Sequence, residues 1–573
     1  MAAPDSLTAD TPRGERGQST SPPATPTGQS PFSGRSWMWI LPLAAMAFGL
    51  ASARRIDDFD GWWHLANGRI MLEQHRIPMA DEFSHTKRGV VRVPHEWLSE
   101  ASLYASFRVA GYPGVMVWRG LIVGLTFALC GYLVVLRGLR SAPLALVILL
   151  LGAGISIPEW LERPKILAPL FFVATLTMLE LADRGRKWPL YSVPLLIVLW
   201  ANCHASFVAG IGLIALKMVC RFAEEVGAAG EGVGAPEGRW CPTEVGPPTQ
   251  PPTRPHGGPA SAGQRWPGGA TVCLRARALA PFVLAAALAP LLTPGGLHTI
   301  ANPFSYSGGS SSWHLDTLQE WLSPNFHRPP GRILEVGLIC IILSLALSRR
   351  RPNAFDLLVI LGTVHLSLHS IRHVALLGGA GLAITVLYAD SAFGALSEWR
   401  GVTNLRTPLA GLRERAADLP RGALASAAAT FALAVAVLAI PRDGAFEQCV
   451  ATENLPVAAL EAALATPHTG NLFNQYEWGG YIAYASGGRL PVFIDGRADL
   501  YGEKLYREYD EAIEGRSGWR EVFAKYDIGL AIIPLGAPLT MDLERDPTFR
   551  RAYADPSAVV FVRSDAGVTD LAR

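Results

Sequence analysis

The sequence predicts a polytopic α-helical membrane protein with a C-terminal α/β domain outside the membrane. Two observations carry this. Half of the 573 residues are apolar and they lie in long runs. After residue 440 the pattern changes to short β-type runs alternating with helical segments. Crossing a bilayer takes roughly 20 apolar residues. Runs near 37–53, 115–136, 142–157, 166–182, 189–202, 205–220, 278–293, 333–348, 354–371, 373–390 and 421–440 therefore predict about eleven transmembrane helices.

Residues 1–35, rich in Ser, Thr, Pro and Gly, are expected to be disordered and too polar for a secretory signal, so 37–53 reads as a retained first span. Lys and Arg then fall on every second connection: Arg137 and Arg140; Arg184, Arg186 and Lys187; Arg349 to Arg351; and the arginines of 400–415. By the positive-inside rule those connections and the N-terminus are cytoplasmic, in the plasma (inner) membrane. The Gly- and Pro-rich stretch 221–277 becomes a disordered cytoplasmic insert within a multi-span domain covering 36–440. The opposite, extracytoplasmic side receives loops 54–114, 157–165 and 293–332, the 371–373 turn, and a domain over 441–573.

In that domain 490–494, 528–533 and 558–562 read as strands, and 504–514 and 518–526 as helices. A net charge of +2 gives no reason to expect nucleic acid as a partner. The seven cysteines have no framework spacing and read as small hydrophobes or free thiols.

The polar residues that bear chemistry gather in the outer loops. Asp57, Asp58 and Asp60 stand beside Trp62 and Trp63 just after the first span, where Trp marks the interface and acids must be kept from hydrocarbon. Asp60 precedes a helical stretch over 61–75 that places His64 on its own face; it reads either as an N-cap or as a site acid. His95, Glu96 and Glu100 read as a charged interfacial helix. In the second loop Glu159, Glu162 and Arg163 are either boundary charges or ligands for a divalent ion and a phosphate. Asn202 and His204 join two apolar runs, where polar groups are costly and serve either function or helix packing. Arg372 and His373 face the same leaflet, where an Arg either snorkels or binds a lipid phosphate.

Taken in order, these pieces resemble the GT-C superfamily of membrane glycosyltransferases, most closely the oligosaccharyltransferase catalytic subunit. The family's first-loop motif is Asp-Pro-Trp-Phe followed by a polar residue and an Arg; Asp60-Gly61-Trp62-Trp63-His64 with Arg69 is similar, with Gly for Pro. Thr317-Leu318-Gln319-Glu320 matches a later Ser/Thr-(Val/Ile)-x-Glu motif, and Tyr476-Glu477-Trp478-Gly479-Gly480 echoes a Trp-Trp-Asp-Tyr-Gly motif. The second loop lacks the family's Asp-x-Asp.

The resemblance implies an inverting enzyme that moves a sugar from a polyprenyl-phosphate or pyrophosphate donor to a glycan, lipid or protein acceptor. Asp60 and Glu320 would be catalytic, and with Glu159 and Glu162 would hold a divalent cation, Mg or Mn. Arg163, Arg372 and His373 would bind the donor phosphate. Asp57, Asp58, His64, Arg69, Asn202, His204, Glu477, Trp478, Asp495 and Arg497 would support the acceptor side. The contrasting expectation is a transporter or flippase for a lipid-linked glycan. Transporters tend to show internal repeats and broken helices at mid-membrane; the sequence has no such repeat, and its acids sit at the outer surface.

Overall fold

The computed structural model describes residues 40–139, 141–230, 276–305, 319–397 and 445–564. The expected disordered N-terminus, most of the 221–277 insert, the 421–440 span, and Thr317 and Leu318 lie outside the described residues.

Every other predicted apolar run is helical. The helices are α1 (Ile40–Ser52), α2 (Gly61–Glu73), α3 (Trp97–Leu136), α4 (Ala142–Ser156), α5 (Leu167–Asp183), α6 (Trp188–Ala201), α7 (Phe207–Gly230), α8 (Ala276–Leu288), α9 (Leu297–Ser305), α10 (Pro329–Leu347), α11 (Ala354–His369) and α12 (Leu382–Ser397). A π-helical turn at Leu377–Gly381 leads into α12. The count of eleven spans is not reproduced. Among the described residues five helical stretches are long and apolar enough to cross a membrane, or six if the pair around α8 and α9, bent by 107°, counts as one. Ile40–Ser52, Trp188–Ala201 and Ala354–His369 are apolar but short.

The longest helix, α3, has two parts. Ala110 and Gly111 leave helical geometry, Gly111 at φ 61° and two residues before Pro113, so the chain turns there. A side chain at that φ would be strained, so glycine permits the break. The part before it carries Glu100; the part after it is the apolar span packed on α1. Charged ends of α3, α5 and α7 meet at the face opposite Asp60. There Arg137 reaches Glu180 and Asp356 at 3.0 Å each, and Arg221 reaches Asp183 at 3.0 Å.

The C-terminal unit is a four-stranded mixed sheet in the order β1-β2-β4-β3, with β1 (Asn471–Asn474) parallel to β2 (Ile528–Pro534). β3 (Phe549–Ala554) and β4 (Ala558–Arg563) run antiparallel to their neighbours. The strands predicted at 528–533 and 558–562 are present, and so are both helices, as Ala498–Ile513 and Trp519–Lys525. The predicted strand at 490–494 is not in the sheet. Its apolar residues are buried, yet Val492 bridges to Ser84 of the first loop, donating to the Phe83 carbonyl at 2.9 Å.

That bridge is part of how the domain docks. Trp62 packs edge-on against Tyr481 at 5.2 Å, with Tyr112 and Phe446 around it. Arg497, 3 % exposed, pairs with Asp495 at 2.6 Å and with Asp81 of the first loop at 2.7 Å. Removing one partner of a buried pair leaves an uncompensated charge, at a cost of about 3–5 kcal/mol. Arg497→Met is therefore expected to lower the thermal midpoint and to expose the C-terminal domain to limited proteolysis. Wild-type resistance in that variant contradicts this role.

Candidate functional site

Asp60 occupies the N-cap position of α2, but its side chain accepts no hydrogen bond from the helix. Its carboxylate turns instead to Arg163, whose Nη1 lies 2.9 Å away. The same guanidinium holds Asp58 with two parallel bonds of 2.8 Å and donates to Glu320 Oε2 at 3.0 Å. A planar fork of five N–H groups suits this shared role. Glu320 in turn accepts from Arg372 at 3.0 Å and lies 3.6 Å from Lys165. Arg372 is stacked over the Trp321 ring at 4.0 Å. Loop 1, loop 2, the loop before α10 and the 371–373 turn thus meet at one charged knot.

The knot gives its two principal acids opposite properties. Burial pushes the Asp60 carboxyl up to about 7; Arg163 opposes the shift, while Asp58, Glu320 and Asp495 add to it. Burial also works against ionisation of Glu320, but Arg372, Lys165 and Arg163 outweigh it and hold its carboxyl well below the usual range. One acid is poised to exchange a proton near neutrality and the other is a fixed anion.

The C-terminal domain closes one side. A Cβ at Gly496 would lie 1.8 Å from Asp60 Oδ1, so the backbone there approaches the carboxylate closely and a larger residue would have to push it aside. On the other side a small, largely apolar cavity of about 70 Å³ runs among α3, α4, the start of α5 and residues 371–376. Thr126, Phe127, Trp160, Ile166 and Leu376 line it, and Lys165 and Arg372 stand in its wall. His204 and His373 also line it.

Of the predicted residues, Asp58, Asp60, Arg163, Glu320 and Arg372 come together. Glu159 and Glu162 do not join Asp60: Glu159 pairs with Lys165 at 2.6 Å, and Glu162, 1 % exposed, pairs with the fully buried Arg119. Arg119 also donates to the Ala51 carbonyl at 2.9 Å, tying the end of α1 to loop 2. Consecutive residues of loop 2 thus do different work, Glu162 bracing the loop and Arg163 reaching the knot. Asp57 lies 3.4 Å from Arg54, and Glu477 is exposed. Asn202 serves packing: it accepts from Trp97 Nε1 at 2.6 Å and donates to the Val198 carbonyl at 2.8 Å. Trp478 donates to the Asn454 carbonyl at 3.0 Å, Arg69 covers the Tyr484 ring, and Asp495 and Arg497 pair with each other.

Sequence reasoning missed Lys165, whose place two residues after Arg163 was the available signal. It also misplaced Glu96 and Glu100. They are not a charged surface: Glu100 is 1 % exposed, and His64 Nδ1 lies 2.9 Å from it. The ligating atoms of His64, Glu96 and Glu100 lie within 4.8 Å of one another, an arrangement able to hold a metal ion.

Comparison with family models gives no match, and neither does comparison with curated proteins. Among solved structures the chain resembles ArnT from Cupriavidus metallidurans bound to undecaprenyl phosphate, with TM-score 0.51 and 12 % identity over 93 % of this chain and 99 % of that one. It also resembles the Archaeoglobus fulgidus oligosaccharyltransferase in its apo form, with TM-score 0.51 and 11 % identity over 94 % and 75 %. The same enzyme tethered to an acceptor peptide containing the NVT sequon gives TM-score 0.50 and 13 % identity over 93 % and 75 %. The likeness is one of fold, to proteins of the kind that the motif order resembles.

Neutralising Arg163 should leave three acids facing one another. Arg163→Met is expected to destabilise the protein by about 3–5 kcal/mol, and adding Asp58→Asn should recover part of that loss. Equal thermal midpoints for wild type and Arg163→Met would show that the knot contributes no stability.

Proposed function

We propose that the chain is an inverting glycosyltransferase that takes a sugar from a polyprenyl-phosphate-type donor on the extracytoplasmic face of the plasma membrane. The observation that carries this reading is an apolar cavity with Lys165 and Arg372 in its wall, joined through Glu320 and then Arg163 to the Asp60 carboxylate. A prenyl chain needs an apolar slot, its phosphate needs cations, and the acceptor needs a base on the far side of the sugar carbon. The fold likeness to a protein bound to undecaprenyl phosphate supports the same choice.

In the step proposed, the acceptor's O–H or N–H group attacks the anomeric carbon opposite the phosphate. The bond from that carbon to the phosphate oxygen breaks, and its electron pair leaves with the lipid phosphate. Asp60 takes the acceptor's proton, while Lys165 and Arg372 offset the charge that grows on the leaving oxygen. Glu320 positions both cations.

The four acids implied to bind Mg or Mn do not form a cradle for it. Asp60 and Glu320 close on Arg163, Glu159 on Lys165, and Glu162 on Arg119. No step is therefore assigned to an ion there. A transporter reading gains less support, because the charged groups collect at the two ends of the helices rather than along a path through them.

The test is transfer by purified protein in detergent, where flipping has no meaning, using labelled polyprenyl-phosphate sugar and an envelope extract as acceptor. Release of polyprenyl phosphate with loss of label from the lipid is expected. Asp60→Ala should lower the rate by about 10²–10⁴, the usual worth of a general base, while the protein stays folded. Wild-type rates in that variant would exclude Asp60 as the base. Because the ionised carboxylate is the active form, the rate should fall about tenfold per pH unit below about 7 and level off above it. A flat profile between pH 5 and 8 contradicts that assignment. Replacing both Lys165 and Arg372 by Gln should raise KM for the donor and lower kcat, since both cations act on its phosphate; unchanged constants would place the phosphate elsewhere.

A further inference from the structure

Behind the knot lies a second cluster that the transfer chemistry does not use. His64 extends from α2 one turn after Asp60, and Glu96 and Glu100 come from the start of α3, four residues apart and on one face. His64 Nδ1 is 2.9 Å from Glu100 Oε1 and 3.9 Å from Glu96 Oε2. Two more imidazoles face Glu96: His204 Nε2 at 3.6 Å and His95 Nε2 at 3.7 Å. The side chains of His64 and Glu100 are 3 % and 1 % exposed, and those of Glu96, His95 and His204 between 10 and 13 %.

Two carboxylates and three imidazoles in so dry a space call for something that balances them. Asn67 donates to Glu100 Oε1 at 3.0 Å, so that oxygen is served twice. Glu100 Oε2 is buried with no hydrogen-bond partner. A buried acceptor left over in this way is costly, and buried carboxylates are paired or bind metal. Arg92, whose charge reaches both carboxylates, is paired with Asp499 at 3.4 Å.

We propose that His64, Glu96 and Glu100 bind a divalent transition metal of the zinc class, with His204 within reach as a fourth ligand. Mixed imidazole and carboxylate donors suit zinc, whereas Mg prefers oxygen ligands and water. The four ligands come from α2, the start of α3 and the turn between α6 and α7, so the ion would staple these three segments. It would thereby fix the start of α2, and with it Asp60, without touching the donor. The proposal does not depend on the transfer reading, because metal content is measured without an assay of activity.

The experiment uses full-length protein, purified without a metal-affinity tag or chelator, and elemental analysis. About one zinc-class ion per chain is expected, lost in His64→Ala and in Glu100→Gln but kept in Asp60→Ala. Cobalt added to chelator-stripped wild-type protein should give a d–d absorption band and raise the thermal midpoint. That measurement needs no variant to fold. Metal-free protein whose midpoint and spectrum do not respond to cobalt or zinc would overturn the proposal and leave proton-sharing His–Glu pairs in its place. Metal lost in Asp60→Ala but retained in His64→Ala would overturn it too, by placing the ion in the knot.

Discussion

Compensation of carboxylates beside the membrane is the constraint on which the rest of this structure depends. Asp58 and Asp60 share one loop and Glu320 comes from far along the chain, and one guanidinium, Arg163, satisfies all three. Their mutual repulsion would otherwise push these loops apart. Because Arg163 must reach all of them, loop 2 has to lie against the start of α2. The Arg119–Glu162 pair and the bond from Arg119 to the end of α1 hold it there.

Function follows from how unevenly the compensation is shared. Glu320 is surrounded by three cations and stays ionised. Asp60 shares Arg163 with two other acids, so burial dominates and its proton affinity rises. A carboxyl that exchanges its proton near neutral pH and cations beside an apolar cavity then arise from one arrangement. Docking of the C-terminal domain completes it, because Gly496 closes on Asp60 and Arg497 reaches back to Asp81 in the first loop.

Much of this was legible in the sequence, for identifiable reasons. Apolar runs report helices directly, and acids beside Trp at a span edge are conspicuous because they are expensive there. That brought Asp60, Arg163 and Arg372 forward as candidates, and the motif resemblance added Glu320; the structure brings the four together. What was not legible was burial set by tertiary contact. The 95–100 segment reads as a charged interfacial helix, and it is contact with His64 of α2 and His204 of the 202–206 turn that encloses Glu96 and Glu100. The 490–494 run has strand composition, but its partner is the first loop rather than the sheet, a pairing no local pattern encodes. Glu159 and Glu162 look alike in sequence; Lys165 and Arg119 are what separate them from Asp60.

The most direct test of the account is where a lipid donor's phosphate and chain come to rest. A photoreactive polyprenyl phosphate incubated with the full-length protein, followed by peptide mapping, would show it. Labelling should fall in 156–169 and 371–376, around Lys165 and Arg372, and should be competed away by unlabelled polyprenyl phosphate. Labelling confined to other helices, or indifferent to competitor, would contradict the claim that this cavity and the Arg163 knot form one donor site.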